Sequence, residues 1–413
     1  MASPSEQPIP DVATAHPTAS SPSVPAPLTP ATSLPSDFEF GAVHAVPRTT
    51  PPPPPPSLGP LAAFVGNWQG SGFNTIFRPD SPITPTPMPN PIPPGSDNVL
   101  ELNLTSESLS FSESLGTVPN RGMVQADAFL NGVPYLQAIK DVTTGQSVGI
   151  HLEPGLWVCV PPTTNPAEGQ TLVRMASIPH GTTICAQGTS TSFSGAPTIP
   201  VTEITPFFAG NPQNKIQFAS QEAENKDTPR IPQDLSAFIK AGTITQEILT
   251  DPNAVLRNHN KALDIISTTA ISVATAPATP LFGGGTDNIA FLLGDPGAIT
   301  NPDGPGQNAQ TLQMSATFWI EEVQSTILVP PFKLGQRPLT LKPENSIEGR
   351  LVPTFTVRPP IPLEESRIIT VTSKQIQYSQ RVELNFNGLT WPHVSVATLV
   401  PAGPIPVPPS VWS

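Results

Sequence analysis

The residues of this chain that could do chemistry are few, and the most informative is a histidine near the carboxyl end. The chain holds six histidines and two cysteines in 413 residues. In the segment HVSVATL, strand alternation places His393, Ser395 and Ala397 on one face, directly after Pro392. Small side chains beside an imidazole leave room for a flat ligand, and a neutral imidazole nitrogen can bind a metal. The alternative is that His393 caps the start of the strand through hydrogen bonds.

Three further histidines have a less specific setting. His151 lies two residues before Glu153, on the same face of a predicted strand. This pair could relay protons or face a pocket, but the favoured interpretation is a hydrogen-bonded pair that holds two strands together. His180 precedes Gly181 at a predicted turn, where a histidine usually lies at the surface or bonds to the backbone. His259 lies on a predicted helix that could cover a pocket.

Other common site types lack their signatures. No Cys-x-x-Cys or His-x-x-x-His pair occurs, which argues against a zinc site. The run FGGGTDN lacks the Gly-Lys-Ser/Thr ending of a phosphate-binding loop and is predicted to be an ordinary loop. Cys159 and Cys185 fall on adjacent predicted strands and are expected to be buried thiols.

The elements that position these residues are predicted to be antiparallel strands. Alternating apolar runs recur along most of the chain, separated by turn pairs such as Asn131-Gly132, and they predict about ten to thirteen strands. A change of alternation between Leu104 and Leu109 predicts a bulge or a turn. Such strands could close into a barrel that holds one small ligand, or form a structural sandwich without a cavity. The alternation alone fits both architectures.

Composition divides the chain into a tail and one folded domain. With 58 prolines and only 12% charged residues, a helical bundle and a coiled coil are excluded. Residues 1–60, which end with the run Pro51–Pro56, are predicted to be a disordered, proline-rich tail. Residues 61–413 are predicted to form the β domain. Within it we expect a partly helical insertion at 204–264 and a proline-rich excursion at 329–362.

Charge and hydropathy restrict partners and location. The formal net charge of −12 repels nucleic acid and anionic membranes, so neither is an expected partner. No basic segment followed by an apolar stretch begins the chain, and no apolar window is long enough to span a bilayer. These features predict a cytoplasmic protein. The tail is expected to be a solubilising spacer, with docking of a proline-recognising domain as the alternative.

Five segments of the chain contain Gly, Pro and His residues whose spacing and order along the sequence together form a pattern. They are LAAFVGNWQGSGFNTIF, FLNGVPYLQAI, GIHLEPGLW, VRMASIPHGTTICAQG and LTWPHVSVATLVP. The positions that carry the pattern are Gly66, Trp68, Gly70, Gly72, Gly132, Pro134, His151, Glu153, Gly155, Leu156, Pro392 and His393. In this order they resemble strands of the nitrobindin family, with a long interruption before the last segment.

This resemblance implies a fold, a cofactor and an activity. The fold would be an all-β, antiparallel ten-stranded, calycin-like barrel related to lipocalins and fatty-acid-binding proteins. The cofactor would be b-type haem at one mouth, with His393 as the proximal iron ligand and Trp391, His151 and Thr75 as further candidate contacts. Family members bind nitric oxide, and their ferric forms isomerise peroxynitrite, so a haem-dependent isomerase or peroxidase-like activity is implied. The competing interpretation is a metal-free carrier of a hydrophobic small molecule in the same barrel.

Overall fold

The computed structural model describes residues 55–92, 95–277, 283–293, 308–344, 346 and 350–412. Apart from residues 55–60, the predicted tail lies outside the described residues, and so does its predicted docking of a proline-recognising domain. Gly59–Ala63 form a 3₁₀ helix that leads into the first strand. Among the described helices, none has the length and apolar character needed to cross a membrane.

Ten antiparallel strands form a closed barrel. In chain order they are β1 Gly66–Pro79, β2 Asn98–Phe111, β3 Ala128–Asp141, β4 Val148–Val160, β5 Thr171–Ile178, β6 Thr182–Ser194, β7 Asp264–Ala274, β8 Gln310–Val329, β9 Arg367–Phe386 and β10 Leu389–Pro401. Each strand pairs with the next along the chain, and β10 pairs with β1 to close the ring. The predicted all-β, ten-stranded antiparallel barrel is confirmed. The alternative of a sandwich is wrong, because the strands form one continuous ring instead of two separate sheets.

One end of the barrel is filled by aromatic side chains. The 3₁₀ helix delivers Phe64 to this end, where its ring stacks on Phe111 with centroids 4.6 Å apart. The same ring packs against Trp157 at 5.5 Å and Phe318 at 5.9 Å. This end is therefore closed by packing, and space for a ligand exists towards the opposite end.

Two glycines of the opening strand allow the barrel to close. A Cβ at Gly70 would lie 2.0 Å from the carbonyl oxygen of Thr398, and one at Gly72 would lie 2.1 Å from that of Val396. Both oxygens belong to β10, so β1 and β10 approach more closely than any side chain would permit. Gly70 and Gly72 therefore lie at the seam of the barrel, which is the pairing of β1 with β10 that closes the ring, and they allow this pairing.

Gly72→Ala is expected to destabilise the protein by about 1–3 kcal/mol, because the added methyl group forces the two seam strands apart. Urea unfolding monitored by tryptophan fluorescence measures the effect. Gly149→Ala on β4 is the matched control, since a Cβ there meets open space. We expect the control to stay within about 0.5 kcal/mol of wild type. Equal urea midpoints for Gly72→Ala and Gly149→Ala would contradict the claim that a side chain at position 72 disturbs the pairing of β1 with β10.

The segment predicted as a partly helical insertion packs on the outside of the barrel. Phe207–Phe208 pair with the start of β10, and Arg230–Ile231 pair in parallel with the start of β2. Three helices follow, and they are α1 Ser236–Ala241, α2 Gln246–Thr250 and α3 Ala254–Asn260. Leu235, which directly precedes α1, Leu249 of α2 and Leu256 of α3 are fully buried in the same apolar cluster as the outer face of β1 and β2. The insertion thus covers the barrel wall and leaves the mouth to other elements.

The predicted bulge or turn between Leu104 and Leu109 is wrong. β2 pairs with β1 without a register shift along its whole length. Leu100 and Leu102 lie on the outer face under the insertion, whereas Leu109 lies on the inner face. The alternation changes because the insertion buries the outer face of one half of the strand, while the backbone stays regular.

The remaining elements are short. The strands among them are Val118–Asn120, Thr163–Thr164, Ala167–Glu168, Gly285–Asn288, Leu339–Leu341, Phe355–Val357 and Ile405–Pro406. The helices are α4 Ala290–Leu293 and the 3₁₀ turns Ala219–Gln221 and Pro409–Trp412. The last three strands form a separate sheet over a second apolar cluster. Two of them lie within the predicted proline-rich excursion at 329–362.

Candidate functional site

A cavity of about 490 Å³ occupies the end of the barrel opposite the aromatic plug. Side chains from every barrel strand except β7 contribute to its wall, together with Leu292 of α4. The wall consists of Asn74, Ile76, Arg78, Glu101, Asn103, Gln137, Ile139, Ile150, His151, Ile178, His180, Thr182, Leu292, Ala309, Thr311, Tyr378, Gln380, Val382, Leu384, His393 and Ser395. Sites for small organic molecules typically measure about 300–1,000 Å³, so this cavity has the size of a ligand site.

His393 faces this cavity from β10 with one ring nitrogen already bonded. Its Nδ1 lies 2.8 Å from the main-chain oxygen of Thr75 on β1. A carbonyl oxygen accepts and cannot donate, so Nδ1 carries the proton and Nε2 keeps a lone pair. Burial lowers the pKa of His393 to about 4, with smaller contributions from the charges of His151 and His180. The imidazole is therefore neutral at pH 7, and Nε2 makes no hydrogen bond to the described residues.

Thr75 reaches the site through its backbone. The neighbouring β1 residues Asn74 and Ile76 line the cavity, so the side chain of Thr75 lies on the opposite face of the strand. Its Oγ1 is buried without a hydrogen-bond partner among the described residues. The side chain of Thr75, which was predicted to contact the cofactor, is therefore not part of the cavity wall, and the carbonyl oxygen of Thr75 accepts a hydrogen bond from the His393 ring.

Trp391 does not line the cavity, so the prediction that it packs against a porphyrin edge does not fit its position. Its ring stacks on Phe386 at 4.6 Å and packs against Phe77 at 5.1 Å and Phe218 at 5.3 Å. Its Nε1 donates to the carbonyl oxygen of Phe386 at 3.0 Å. Phe218 belongs to the insertion, which supplies a dry aromatic environment outside the cavity. The indole is satisfied there and fully buried.

His151 and His180 form a pair on the cavity wall, with ring centroids 5.5 Å apart. His151 Nε2 lies 3.2 Å from Glu153 Oε2, so His151 both bonds to the carboxylate and faces the cavity. Burial and the charge of His151 lower the pKa of His180, against a hydrogen bond to the Ile150 backbone. His151 therefore faces the cavity, which was one of the alternatives, but its bond to Glu153 lies within β4 and does not join two strands. The turn residue His180 lies beside it on the cavity wall.

A buried ion pair lies beneath the two histidines. Arg174 Nη2 donates to Glu153 Oε1 at 2.6 Å, and Arg174 Nε donates to the Tyr135 hydroxyl at 2.9 Å. Tyr135 donates in turn to Glu153. Burial alone would raise the pKa of Glu153, but the charge of Arg174 and the bond from His151 outweigh it and hold the pKa at about 2. The carboxylate is therefore ionised at neutral pH, and it orients His151.

A second polar group forms the floor of the cavity. Tyr378 donates to Glu107 Oε2 at 2.7 Å, and Gln137 Nε2 donates to the Tyr378 oxygen at 3.1 Å. Thr105 donates to the other oxygen of Glu107 at 2.9 Å. Burial raises the pKa of Glu107, against these hydrogen bonds. Tyr378 and Gln137 thus present fixed polar atoms to a ligand from below.

Other residues considered in the sequence lie away from the cavity. His259 is on α3, outside the barrel, where burial lowers its pKa to about 4. Cys159 is buried as expected, but Cys185 is exposed, because odd-numbered positions of β6 face outwards. Within the part of the chain that the structure describes, no group of three His, Cys, Asp or Glu side chains is placed to hold a metal ion.

Comparison with known proteins gives one structural similarity. No protein-family model matches the chain, and no curated protein matches it. Among solved structures, the chain is similar to Rv2717c from M. tuberculosis, with a TM-score of 0.30 and 10% sequence identity. That similarity covers 83% of this chain and 95% of the other.

Proposed function

We propose that this protein binds an iron porphyrin of the b-haem type in the barrel cavity, with Nε2 of His393 as the protein ligand to iron. The supporting observation is the state of His393, which is neutral and bonded through Nδ1 to the Thr75 carbonyl. Metal-binding histidines usually donate their second ring N–H to a carbonyl or carboxylate, which orients the ring. His393 has this arrangement, and its free nitrogen belongs to a ring that lines the cavity.

The cavity wall suits a flat and largely apolar ligand. Branched aliphatic side chains supply much of it, namely Ile76, Ile139, Ile150, Ile178, Val382 and Leu384. They would contact the macrocycle and exclude water from both of its faces. Ser395, one alternation along from His393, is small enough to leave the imidazole accessible. Iron in a porphyrin needs a single protein ligand, and Nε2 of His393 can supply it.

When bound, ferric porphyrin would supply a coordination site for nitric oxide or for peroxide-like ligands. The protein's own part is to hold the imidazole through Thr75, to keep bulk water out, and to place His151 and His180 beside the bound ligand. Isomerisation of peroxynitrite or reduction of a peroxide is the class of reaction that such a site would support.

Replacing His393 by alanine is expected to weaken hemin binding by at least about a hundredfold, since losing even an outer partner of a metal ligand costs about 10–100-fold. Titration of the full chain with hemin, followed by the Soret band, measures this. His393→Gly with added imidazole should restore the band, because free imidazole can occupy the vacated position. His259→Ala, which removes a neutral imidazole outside the cavity, is the matched control and should bind hemin like wild type. An unchanged Soret titration in His393→Ala would reject the assignment.

A metal-free carrier is the second candidate, and one observation favours it. The carboxamides of Asn74, Asn103, Gln137 and Gln380 line the wall beside the aliphatic residues. Polar groups placed within an apolar pocket are typical of sites that orient an organic ligand by hydrogen bonds. A protein that takes up no hemin but enhances the fluorescence of an apolar dye would support this candidate over the first.

A further inference from the structure

A groove of about 610 Å³ crosses the outer face of the barrel, apart from the cavity proposed to hold the porphyrin. Ser379 and Arg381 of β9 line this groove. Tyr378, Gln380 and Val382, which alternate with them, line the barrel cavity instead. Successive side chains of a strand point to opposite faces, so the groove and the cavity lie on opposite sides of the barrel wall. The groove is therefore a separate site that the proposed function does not use.

The floor of the groove carries a row of hydroxyl groups. The row runs through residues that face one another on the adjacent strands β6 to β9, namely Thr189, Ser272, Thr317 and Ser379. Neighbouring strands lie about 4.8 Å apart, so the row is roughly 14 Å long, comparable with the length of a disaccharide. The oxygens of Ser272 and Thr317 lie 3.0 Å apart. The hydroxyls of Thr189 and Ser379 make no hydrogen bond to the described residues, so they can bond to a ligand.

The groove carries no unpaired charge. Arg381 is the one charged side chain among its described lining residues, and Arg381 Nη2 is paired with Glu383 Oε1 at 3.3 Å. The other polar side chains of the lining are hydroxyls and carboxamides, which both donate and accept hydrogen bonds. Pro200, Val201 and Trp319 add apolar surface. This combination suits a neutral ligand that has many hydroxyl groups and apolar C–H faces.

One buried amide of the groove lacks a hydrogen-bond donor. Asn253, which directly precedes α3, lines the groove and is 1% exposed. Asn253 Nδ2 donates to the Pro200 carbonyl oxygen and to Thr202 Oγ1, both at 2.8 Å, and these two bonds fix the orientation of the carboxamide. Asn253 Oδ1 has no hydrogen-bond partner among the described residues. Buried acceptors are nearly always satisfied, so an unsatisfied one beside a groove indicates a missing donor.

We propose that this groove binds a neutral saccharide, with the hydroxyl row and Asn253 as its hydrogen-bonding partners. The sugar hydroxyls would donate to Asn253 Oδ1 and exchange hydrogen bonds with Thr189 and Ser379, while the C–H faces of the ring would contact the apolar surface. The net charge of −12 does not oppose the entry of such a ligand, because the ligand is uncharged.

Titration calorimetry of the full chain with maltose and with cellobiose, two disaccharides of different linkage geometry, tests this proposal. Wild type is expected to bind at least one of them with a dissociation constant on the order of 1 mM, the affinity that a few net hydrogen bonds supply. Thr317→Val removes one hydroxyl from the row and should weaken binding about two- to tenfold. Ser315→Leu adds bulk at an exposed position of the same groove and should abolish binding.

Thr269→Val is the matched control, because it removes a hydroxyl from the Ser192–Thr269 pair, whose oxygens lie 2.9 Å apart outside the groove. Its affinity for the disaccharide should equal that of wild type. Urea midpoints identify any variant that loses affinity by unfolding. The proposal is overturned if neither disaccharide binds, or if Thr269→Val weakens binding as much as Thr317→Val. Binding of inorganic phosphate that is lost in Arg381→Met would also overturn it, since the groove would then be an anion site.

Discussion

Replacing Arg174 by methionine is expected to lower the free energy of unfolding by about 3–5 kcal/mol at pH 7. The Arg174 side chain is 1% exposed, and its partner Glu153 is 0% exposed. Methionine fills much of the same volume but leaves the Glu153 carboxylate charged and buried, with Tyr135 and His151 as its remaining partners. An uncompensated buried charge is among the most costly defects that one substitution can introduce.

Urea unfolding at pH 7 measures this loss. The pH suits the purpose because the pKa of Glu153 is about 2 in the folded protein, below its usual value of about 4.3. The stabilisation is therefore present at neutral pH and is lost as the pH falls from about 4 to about 2.

The double variant Arg174→Met/Glu153→Gln should recover a large part of the loss in stability, since it removes both buried charges. Arg121→Met, in an exposed pair with Asp127, is the control and should change stability by less than about 1 kcal/mol. Similar losses for Arg174→Met and Arg121→Met would refute this account.

Arg230→Met is expected to cost about 3 kcal/mol or more, through a different mechanism. The fully buried guanidinium has no carboxylate among its acceptors and donates instead to main-chain carbonyl oxygens. These belong to Ser220, Glu222, Ala223, Asn225, Pro232 and Gln233, at 2.6–3.3 Å. Burial lowers the pKa of Arg230 to about 10, so it remains charged at pH 7. Methionine offers no donor, which leaves buried carbonyl groups unsatisfied.

The loss of protection from amide hydrogen exchange caused by Arg230→Met should be confined to the insertion. Amide hydrogen exchange is expected to accelerate in residues 204–264, while the far barrel strands β4 and β5 keep their protection. Arg230→Lys keeps the charge but has only three donors, so its effect should fall between wild type and methionine. If amide hydrogen exchange across the insertion is the same in Arg230→Met as in wild type, the hydrogen bonds from Arg230 to these carbonyl oxygens do not stabilise the insertion.

Much of the architecture could be predicted because short-range patterns determine it. Strand alternation and the turn pair Asn131-Gly132 are local signals, and they indicated antiparallel strands. The glycine spacing around Gly70 and Gly72 corresponds to a close approach of two backbones, which explains why these positions are informative in a sequence. The choice between barrel and sandwich depended on the pairing of β1 with β10, and the glycine spacing indicates a close approach without identifying the strand that approaches.

The details of the site were harder to predict because they depend on what covers each face. Trp391 shares the alternation of His393, yet its ring packs outside the cavity against Phe386 and Phe77 of the barrel and Phe218 of the insertion. Arg78 follows the opening motif and looks like an ordinary surface residue until Glu101 and the cavity are placed beside it. The leucines of β2 were misleading for the same reason, since the insertion buries an outer face that would otherwise be exposed. A signal for Arg78 did exist, because it alternates in step with Asn74 and Ile76.

The hydrogen bond between Thr75 and His393 joins residues 318 positions apart in the chain. Its two strands are the first and the last of the ring, so the imidazole is oriented only after the whole intervening chain has folded into place. A partly synthesised or partly folded chain would have no competent site and would not capture its ligand early. Conversely, a ligand that binds only the closed barrel would stabilise the pairing of its first and last strands. At a hundredfold excess over the dissociation constant, it would add about 2.7 kcal/mol to the stability of the closed barrel.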